Sequence, residues 1–335
     1  MRILATGPSG PLEELNRLSE AGHDVVAGRL LDQPGRKPYT EAELIEASRE
    51  VEVILASHLE AITDRVLEGA SSLRLVVVPF IGTDKIDVAT ASRLGVLVAN
   101  SPTRENFVSV AEATIGLSIM LLKRIKHNEA KLRAGKWAAR EDRGDFLFGK
   151  TVGIVGLGRV GSRVARRLTG WDARLIGFDP YVSPASALGL GVTLVDFSTL
   201  LAEADVVTLH AVLTDETRGL IGEKELRRMK PSALLINTAR GELVDEEALA
   251  RALNEGWIAG AALDTFAEEP LPMGSPLRAV DPERLILTPH NVAHSEASRR
   301  AGFRLALEQI LAAGRGEVPA HVVNPEAISR WGTRR

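Results

Sequence analysis

Cysteine is absent from all 335 residues, which removes disulfides, thiolate nucleophiles and cysteine-ligated metals from the available chemistry and fits a reducing compartment. No block of one charge sign is present either. With 41 basic residues against 44 acidic ones, nothing calls for nucleic acid or an anionic membrane as a partner, and the expected ligand is small. The apolar stretch 110–122 carries Glu112 and stops at Lys123 and Arg124, so no uninterrupted run approaches the length that spans a bilayer. The opening MRILATGPSG, with one charge and a short apolar run broken by glycine and proline, lacks the apolar core of a secretory signal. Ser101 and Ser295 stand outside any GxSxG elbow, which argues against triad hydrolysis. These absences lead to the expectation of a cytoplasmic, globular protein. Its 45% hydrophobic content and its length suit two domains.

What is present is organised around Thr151 to Asp179. Val152, Ile154 and Val155 lead into Gly156, Gly158 and Gly161 at GxGxxG spacing, followed by a helix-like face at Val160, Val164 and Leu168. A second apolar run from Ala173 to Phe178 ends on Asp179, 21 residues after Gly158. Strand, tight turn, helix and strand form one βαβ unit of the length a dinucleotide site needs. Gly156 permits the turn, Gly158 lets the backbone approach a pyrophosphate, and Gly161 lets helix and strand pack closely. The helix N-terminus, with Arg159 and Val160 leading into it, offers unpaired N–H groups to the phosphates.

Short apolar runs alternate with helical spacing on both sides of this unit. Before it stand Arg2 to Ala5, Asp24 to Ala27, Val51 to Ala56, Leu73 to Val78 and Val96 to Ala99; after it stand Val192 to Val195, Val206 to His210, Ala233 to Asn237, Ile258 to Leu263 and Leu285 to Thr288. Such alternation predicts parallel α/β sheets, the second being doubly wound with six or seven strands. Asn106 to Leu132 reads as one long helix, apolar on most faces at 110–122, which implies burial between domains, burial against a second subunit, or a central core position. Asp245 reads as the N-cap of a helix over Glu246 to Asn254. A last helix from Ser295 to Ala313 returns the chain to the first domain, and Arg330 to Arg335 reads as a basic, mobile end.

Ligands of a doubly wound sheet bind beyond the carboxyl ends of its strands, so polar residues just after the apolar runs are candidates. Arg240 follows LLINTA, Asp264 follows IAGAAL, Glu269 lies in the next loop and His290 follows LILTP. The planar guanidinium of Arg240 suits a carboxylate and can polarise a carbonyl. Glu269 and His290 suit an acid/base pair, because a carboxylate on one imidazole nitrogen raises the histidine pKa and fixes which nitrogen faces a substrate. Taken singly, each has a plainer reading: a surface charge, a solvated loop charge and a structural histidine. His290 and His294 have the spacing of two metal ligands, but Asn291 stands where an HExxH motif has glutamate and no third ligand is evident, so no metal is expected.

With GLGRVG, NTARG, AALDTFAEEPLP and TPHNVAHS in order, and FIGTDKIDV, NSPTRENFVSVAEATIGL, GKW and FGKTVGIVGLG before them, the chain resembles the D-isomer-specific 2-hydroxyacid dehydrogenases over nearly its whole length. The resemblance implies a Rossmann-type NAD-binding domain at 101–288, inserted into a smaller flavodoxin-like α/β substrate domain at 1–100 plus 289–335. It implies a homodimer formed through the 106–132 helix region. Arg240 is implied to bind the substrate carboxylate and carbonyl, His290 to give the proton to the carbonyl oxygen, and Glu269 to hydrogen-bond His290. The backbone amides around Ile81 and Gly82 are implied to hold the carboxylate, with Asp264 and the Thr238 to Arg240 turn on the nicotinamide side and His210 to Val212 along the adenine. Asp179 accepts ribose hydroxyls and repels a 2′-phosphate, which favours NAD over NADP. The sequence departs from the family pattern at Phe80, where glycine is common, at Val212, where proline is common, and at Ser57, where phosphoglycerate-oxidising members commonly carry arginine. The expected activity is therefore reduction of a small 2-keto acid of the glyoxylate or hydroxypyruvate kind. Its alternatives are a phosphoglycerate, formate or phosphonate dehydrogenase, or a non-catalytic NAD-sensing protein resembling the C-terminal-binding-protein corepressors.

Overall fold

The apolar runs pair as two parallel sheets. The computed structural model describes residues 1–7, 10–28 and 37–331. They divide into two compact units, Met1–Asn106 together with the chain from His294 onward, and Phe107–Ala293. The boundaries expected from sequence lie a few residues earlier at both crossings.

Among the described residues the first unit holds a five-stranded sheet of β1 (Arg2–Ala5), β2 (Asp24–Ala27), β3 (Val53–Leu55), β4 (Leu75–Val77) and β5 (Leu97–Ala99), in the order β2-β1-β3-β4-β5. Successive side chains of a strand point to opposite faces. Ile3, Val53, Leu55, Leu75, Val77 and Leu97 therefore enter one core layer, and Leu4, Ile54, Val76 and Val98 the other. The helix Glu296–Gly314 brings Phe303, Ala306, Leu307 and Ile310 into the first layer. It packs closely enough that a Cβ on Gly302 would lie 2.2 Å from the carbonyl oxygen of Pro79. Of the basic end at 330–335, Arg330 closes a short 3-10 helix and donates to the carbonyl of Arg93 at 3.3 Å. It is held, not loose; residues 332–335 lie outside the described residues.

The second unit holds a seven-stranded parallel sheet of β6 (Thr151–Val155), β7 (Arg174–Phe178), β8 (Thr193–Leu194), β9 (Val206–Leu209), β10 (Leu234–Asn237), β11 (Gly260–Leu263) and β12 (Leu285–Leu287), in the order β12-β11-β10-β9-β6-β7-β8. The order reverses between β6 and β9, which makes their carboxyl ends the switch point of a doubly wound sheet. Val155, Val207, Leu209 and Leu235 pack on one face, and Val152, Ile154, Val206 and Ile236 on the other. Both faces are covered, as near-continuous apolar strands require. Asp245 caps the helix Glu246–Glu255 as expected, accepting from the amide of Ala248.

The long helix expected from Asn106 to Leu132 is two helices, Arg104–Leu122 and Ile125–Arg133. They are parted by Arg124 in the left-handed region at φ 51°, a conformation that a side chain with a Cβ adopts at some cost. The Arg124 guanidinium donates to the carbonyl of Glu141 at 2.5 Å and pairs with Glu283 at 3.3 Å. Those tertiary contacts compensate the turn, and no periodicity in the sequence reports them. By length and composition alone Arg104–Leu122, 19 residues, would also suffice to cross a membrane, which the apolar-run count did not register. Phe107, Val110, Ala111, Thr114, Leu117, Ser118 and Leu122 are buried, as in the core helix of a globular unit.

Candidate active site

The glycine turn lies where the sheet order reverses. Gly156 has φ 88°, and a Cβ there would meet the backbone of His210 at 2.8 Å, just past β9. A Cβ on Gly161 would lie 1.9 Å from the carbonyl oxygen of Gly156. These two glycines are fixed by the protein's own packing. Gly158 differs, since a Cβ there would meet nothing within 4 Å; the space it leaves is open.

The helix Gly161–Leu168 starts without a side-chain cap, so its first N–H groups and its dipole are directed at that space. Arg159 and Arg163 stand over the ring of Phe107 at 5.3 and 5.2 Å. Val160 is the half-in residue preceding the helix.

Asp179, at the end of β7, does more than wait for a ligand. One carboxylate oxygen accepts the amide of Leu157 at 2.8 Å and the other that of Tyr181 at 2.9 Å. It therefore ties the glycine turn to the neighbouring strand, and each oxygen still has a lone pair for a ribose hydroxyl. His210 accepts or donates at Nε2 to the Thr208 hydroxyl at 3.1 Å, while its buried Nδ1 has no partner among the described residues. Burial pushes this imidazole down to about 3, so it is neutral. Val212, two residues on, is 73% exposed. An open glycine, an uncapped helix start and an orphaned polar nitrogen at one switch point fit a dinucleotide.

At the next three strand ends stand the charged residues. Arg240 follows β10, Asp264 follows β11 and His290 follows β12, on adjacent strands of the sheet. The Arg240 turn is braced from beneath by fully buried Asn237, whose side chain donates to the carbonyl of Arg240 at 2.8 Å and accepts from the amide of Ala239 at 3.1 Å. Thr238 is held to Thr114 by a hydroxyl contact of 2.9 Å. Asp264, 2% exposed, accepts from the Thr288 hydroxyl at 2.7 Å and the Asn291 amide at 3.0 Å. Burial still prevails over these donors and raises its pKa.

Glu269 reaches His290 across the loops. Its oxygens lie 2.8 and 3.0 Å from Nδ1 of the imidazole, and Oε1 also accepts the Phe266 amide at 3.0 Å. The hydrogen bond to Glu269 raises the His290 pKa, with the charges of Glu269 and Asp264 adding to it against desolvation and Arg240. For Glu269, desolvation pushes up, but the His290 hydrogen bond, the Phe266 amide and the nearby positive charges together hold it below its ordinary value. The carboxylate occupies Nδ1, which leaves Nε2 as the nitrogen able to exchange a proton with a ligand. His290 has φ 49°, a strained conformation for a residue other than glycine.

The second unit thus brings together Arg240, Asp264, Glu269 and His290, and separately gathers Gly156, Gly158, Arg159, Val160, Gly161 and Asp179 at the glycine turn. Ile81 and Gly82 belong to the first unit, just past β4, where the Ile81 carbonyl accepts from the Asn100 side chain at 2.7 Å. Their own amides make no hydrogen bond among the described residues. Sequence reasoning missed Asn237, Thr288 and the Phe266 amide, which orient the charged groups. The only local trace was a polar side chain at each strand end. His294 does not join a metal set: among the described residues no group of three or more His, Asp or Glu could hold an ion.

The chain as a whole is similar to known proteins. The family described as "D-isomer specific 2-hydroxyacid dehydrogenase, NAD binding domain" matches residues 115–292. The chain is 38% identical over 97% of its length to a D-3-phosphoglycerate dehydrogenase of Methanocaldococcus jannaschii, of which it spans 59%. It is 37% identical over 87% of its length to a glyoxylate reductase of Korarchaeum cryptofilum, of which it spans 88%. A crystal structure of a Thermus thermophilus protein superposes with a TM-score of 0.85 at 33% identity, covering 96% of this chain and 100% of that one.

Proposed function

The chain belongs to the D-isomer specific 2-hydroxyacid dehydrogenases, and from that premise we propose that it is an NAD-dependent oxidoreductase interconverting a small 2-keto acid and its D-2-hydroxy acid. The observation that carries this reading is the Glu269–His290 pair, 2.8 Å at Nδ1, with Arg240 on a neighbouring strand end. In the direction of reduction, Arg240 holds the carboxylate and polarises the carbonyl through its planar fork. His290 delivers a proton from Nε2 to the carbonyl oxygen, and Glu269 stabilises the imidazolium that gives it. With its pyrophosphate held at the glycine turn, a reduced nicotinamide cofactor would supply the hydride.

In this reading Gly156, Gly158, Arg159, Val160 and Gly161 hold the pyrophosphate, and Asp179 holds the ribose and disfavours a 2′-phosphate. Val212 flanks the adenine, and Thr238 and Asp264 flank the nicotinamide. A homodimer through the 106–132 region is supported by exposed Ile125 and Leu132, and by exposed Trp137, Phe146 and Phe148 in the segment that follows, which a single chain leaves in water. The absence of cysteine supports a reducing, cytoplasmic setting, and the mixed charge supports a small molecule as the only partner besides a second copy.

Reduction of an unphosphorylated acid such as glyoxylate or hydroxypyruvate is favoured by the match to a glyoxylate reductase over most of that protein's length. A second reading, oxidation of a phosphorylated hydroxy acid, has the M. jannaschii relative behind it. The test is to mix the purified protein with NADH and a panel of 2-keto acids and follow the absorbance of the reduced cofactor. Turnover of an acid by the native protein, lost by about a hundredfold or more in His290→Ala while NADH still binds, is the expected result. NADH binding without turnover of any acid would sink the catalytic assignment and favour a sensing role.

A further inference from the structure

Within the second unit the helix Ile125–Arg133 has no apolar anchor. None of its residues is buried, and the Ile125 and Leu132 side chains stand largely in water. With so little apolar area removed from water, its docking rests on polar contacts. These converge on His127. Its Nε2 lies 2.6 Å from Asp142 Oδ1, in the 3-10 helix Arg140–Asp142, and its Nδ1 lies 2.5 Å from Glu283 Oε1, in the loop before β12. The Nδ1 contact lies off the direction of a hydrogen bond, so charge holds it more than a directed bond does. One ring thus joins three separate segments of the unit. Asp142 is buried and is held well below the usual carboxylate range, first by His127, then by Lys131 and the Ala139 amide. Glu283 is partly exposed and pairs with Arg124 at 3.3 Å. An ionised carboxylate only accepts, so the ring suits both acids only with a proton on each nitrogen. A neutral imidazole turns a lone pair toward one of them, and that contact becomes repulsive.

We propose that His127 is a pH-sensitive latch: its imidazolium fastens the helix Ile125–Arg133 and the Arg140–Asp142 turn to the loop before β12, and loss of its proton loosens the chain over residues 125–145. The direction follows from the groups that face the ring. Asp142 and then Glu283 raise its pKa, against desolvation and the charge of Arg124 at the start of the helix. The latch is therefore closed below the ordinary histidine value of about 6.5 and is lost as pH rises through the raised one. Lys131 pairs with Asp142 from the next turn of the helix, and the Ala139 amide donates to it at 2.5 Å. Both keep their hold at either pH. What changes is how often the segment opens, not where it rests when closed.

The experiment is amide hydrogen exchange of the native chain between pH 6 and pH 9, expressed as protection relative to an unstructured chain so that the intrinsic pH dependence of exchange cancels. Peptides from residues 125–145 should lose protection by about fivefold or more at the alkaline end. The helix Glu246–Glu255 of the same unit should keep its own, and in each variant it reports that the unit is folded. His127→Gln should be as loose at pH 6 as the native chain is at pH 9, with no change between them. Glu283→Gln removes one of the two acids that favour the imidazolium and should move the transition to lower pH. Equal protection of residues 125–145 at both ends of the range in the native chain overturns the proposal. So does a His127→Gln chain that keeps the native pH dependence, or a Glu283→Gln chain whose transition stays in place. A loss at pH 9 shared by Glu246–Glu255 also overturns it, since the whole unit then loosens and no latch is at work.

Discussion

Replacing Glu269 by glutamine should move the alkaline limb of the reduction rate downward by about one pH unit. Reduction needs His290 protonated, so kcat/KM falls as pH rises through its pKa, and the carboxylate of Glu269 is the largest influence holding that pKa above the ordinary value. Glutamine keeps a hydrogen-bonding oxygen but removes the charge. What remains is desolvation and Arg240, both pushing the imidazole down, against Asp264 pushing it up. With side chains 45% and 34% exposed, solvent screens the pair, and it favours the imidazolium by about 1–2 kcal/mol rather than the several of a fully buried pair. That range corresponds to about one pKa unit. The assay is the pH profile of kcat/KM for 2-keto acid reduction, native protein against Glu269→Gln. Above the native limb the variant should be about tenfold slower, while at acid pH, where both imidazoles are protonated, the difference should shrink to whatever orientation alone contributes. The acid limb of the reverse oxidation, which needs neutral His290, should move the same way. An active variant whose limbs coincide with those of the native protein refutes the claim that Glu269 tunes His290.

The glycine turn offers a contrast between two alanines. Gly158→Ala meets open space and should leave thermal stability unchanged while weakening NADH binding; Gly161→Ala places a Cβ 1.9 Å from a backbone oxygen and should cost about 1–3 kcal/mol of stability as well, read by thermal melts and NADH titration. Asp179→Ala should relax the preference for NADH over NADPH and, because it also unties the Leu157 amide, should weaken NADH itself; unchanged affinity for both cofactors would remove its ribose role. His127, between Asp142 at 2.6 Å and Glu283 at 2.5 Å, has its pKa raised, chiefly by the hydrogen bond to Asp142. The stability it contributes is full below the ordinary histidine pKa of about 6.5 and is lost as pH rises through the raised, folded-state value. His127→Ala should therefore lower Tm more at pH 6 than at pH 9, and an equal loss at both would contradict the ion-pair account.

Much of the fold was legible because it is set by local chemistry. Buried parallel strands must be apolar throughout, so they announced themselves as runs, and a backbone approaching a pyrophosphate must be glycine at fixed spacing. Asp179 was legible for the same reason, as the acidic residue ending the next strand. The break at Arg124 was not, since the contacts with Glu141 and Glu283 that compensate its left-handed turn come from segments the helical period does not report. Nor was the bracing of the Arg240 turn by Asn237, a side chain whose role depends on the path of the loop above it.

The sequence by itself determined two parallel sheets, a dinucleotide turn, and a set of charged residues at strand ends. Only the tertiary structure shows these residues lying together. Glu269 and His290 are separated by 21 residues, and nothing in either neighbourhood states that they touch. The loops past adjacent β11 and β12 bring them to 2.8 Å, just as adjacent β1 and β3 bring Thr6 and Glu60 together across 54 residues. A strand's composition records its own burial, whereas the partner across a strand end is set by sheet order, which no single segment encodes.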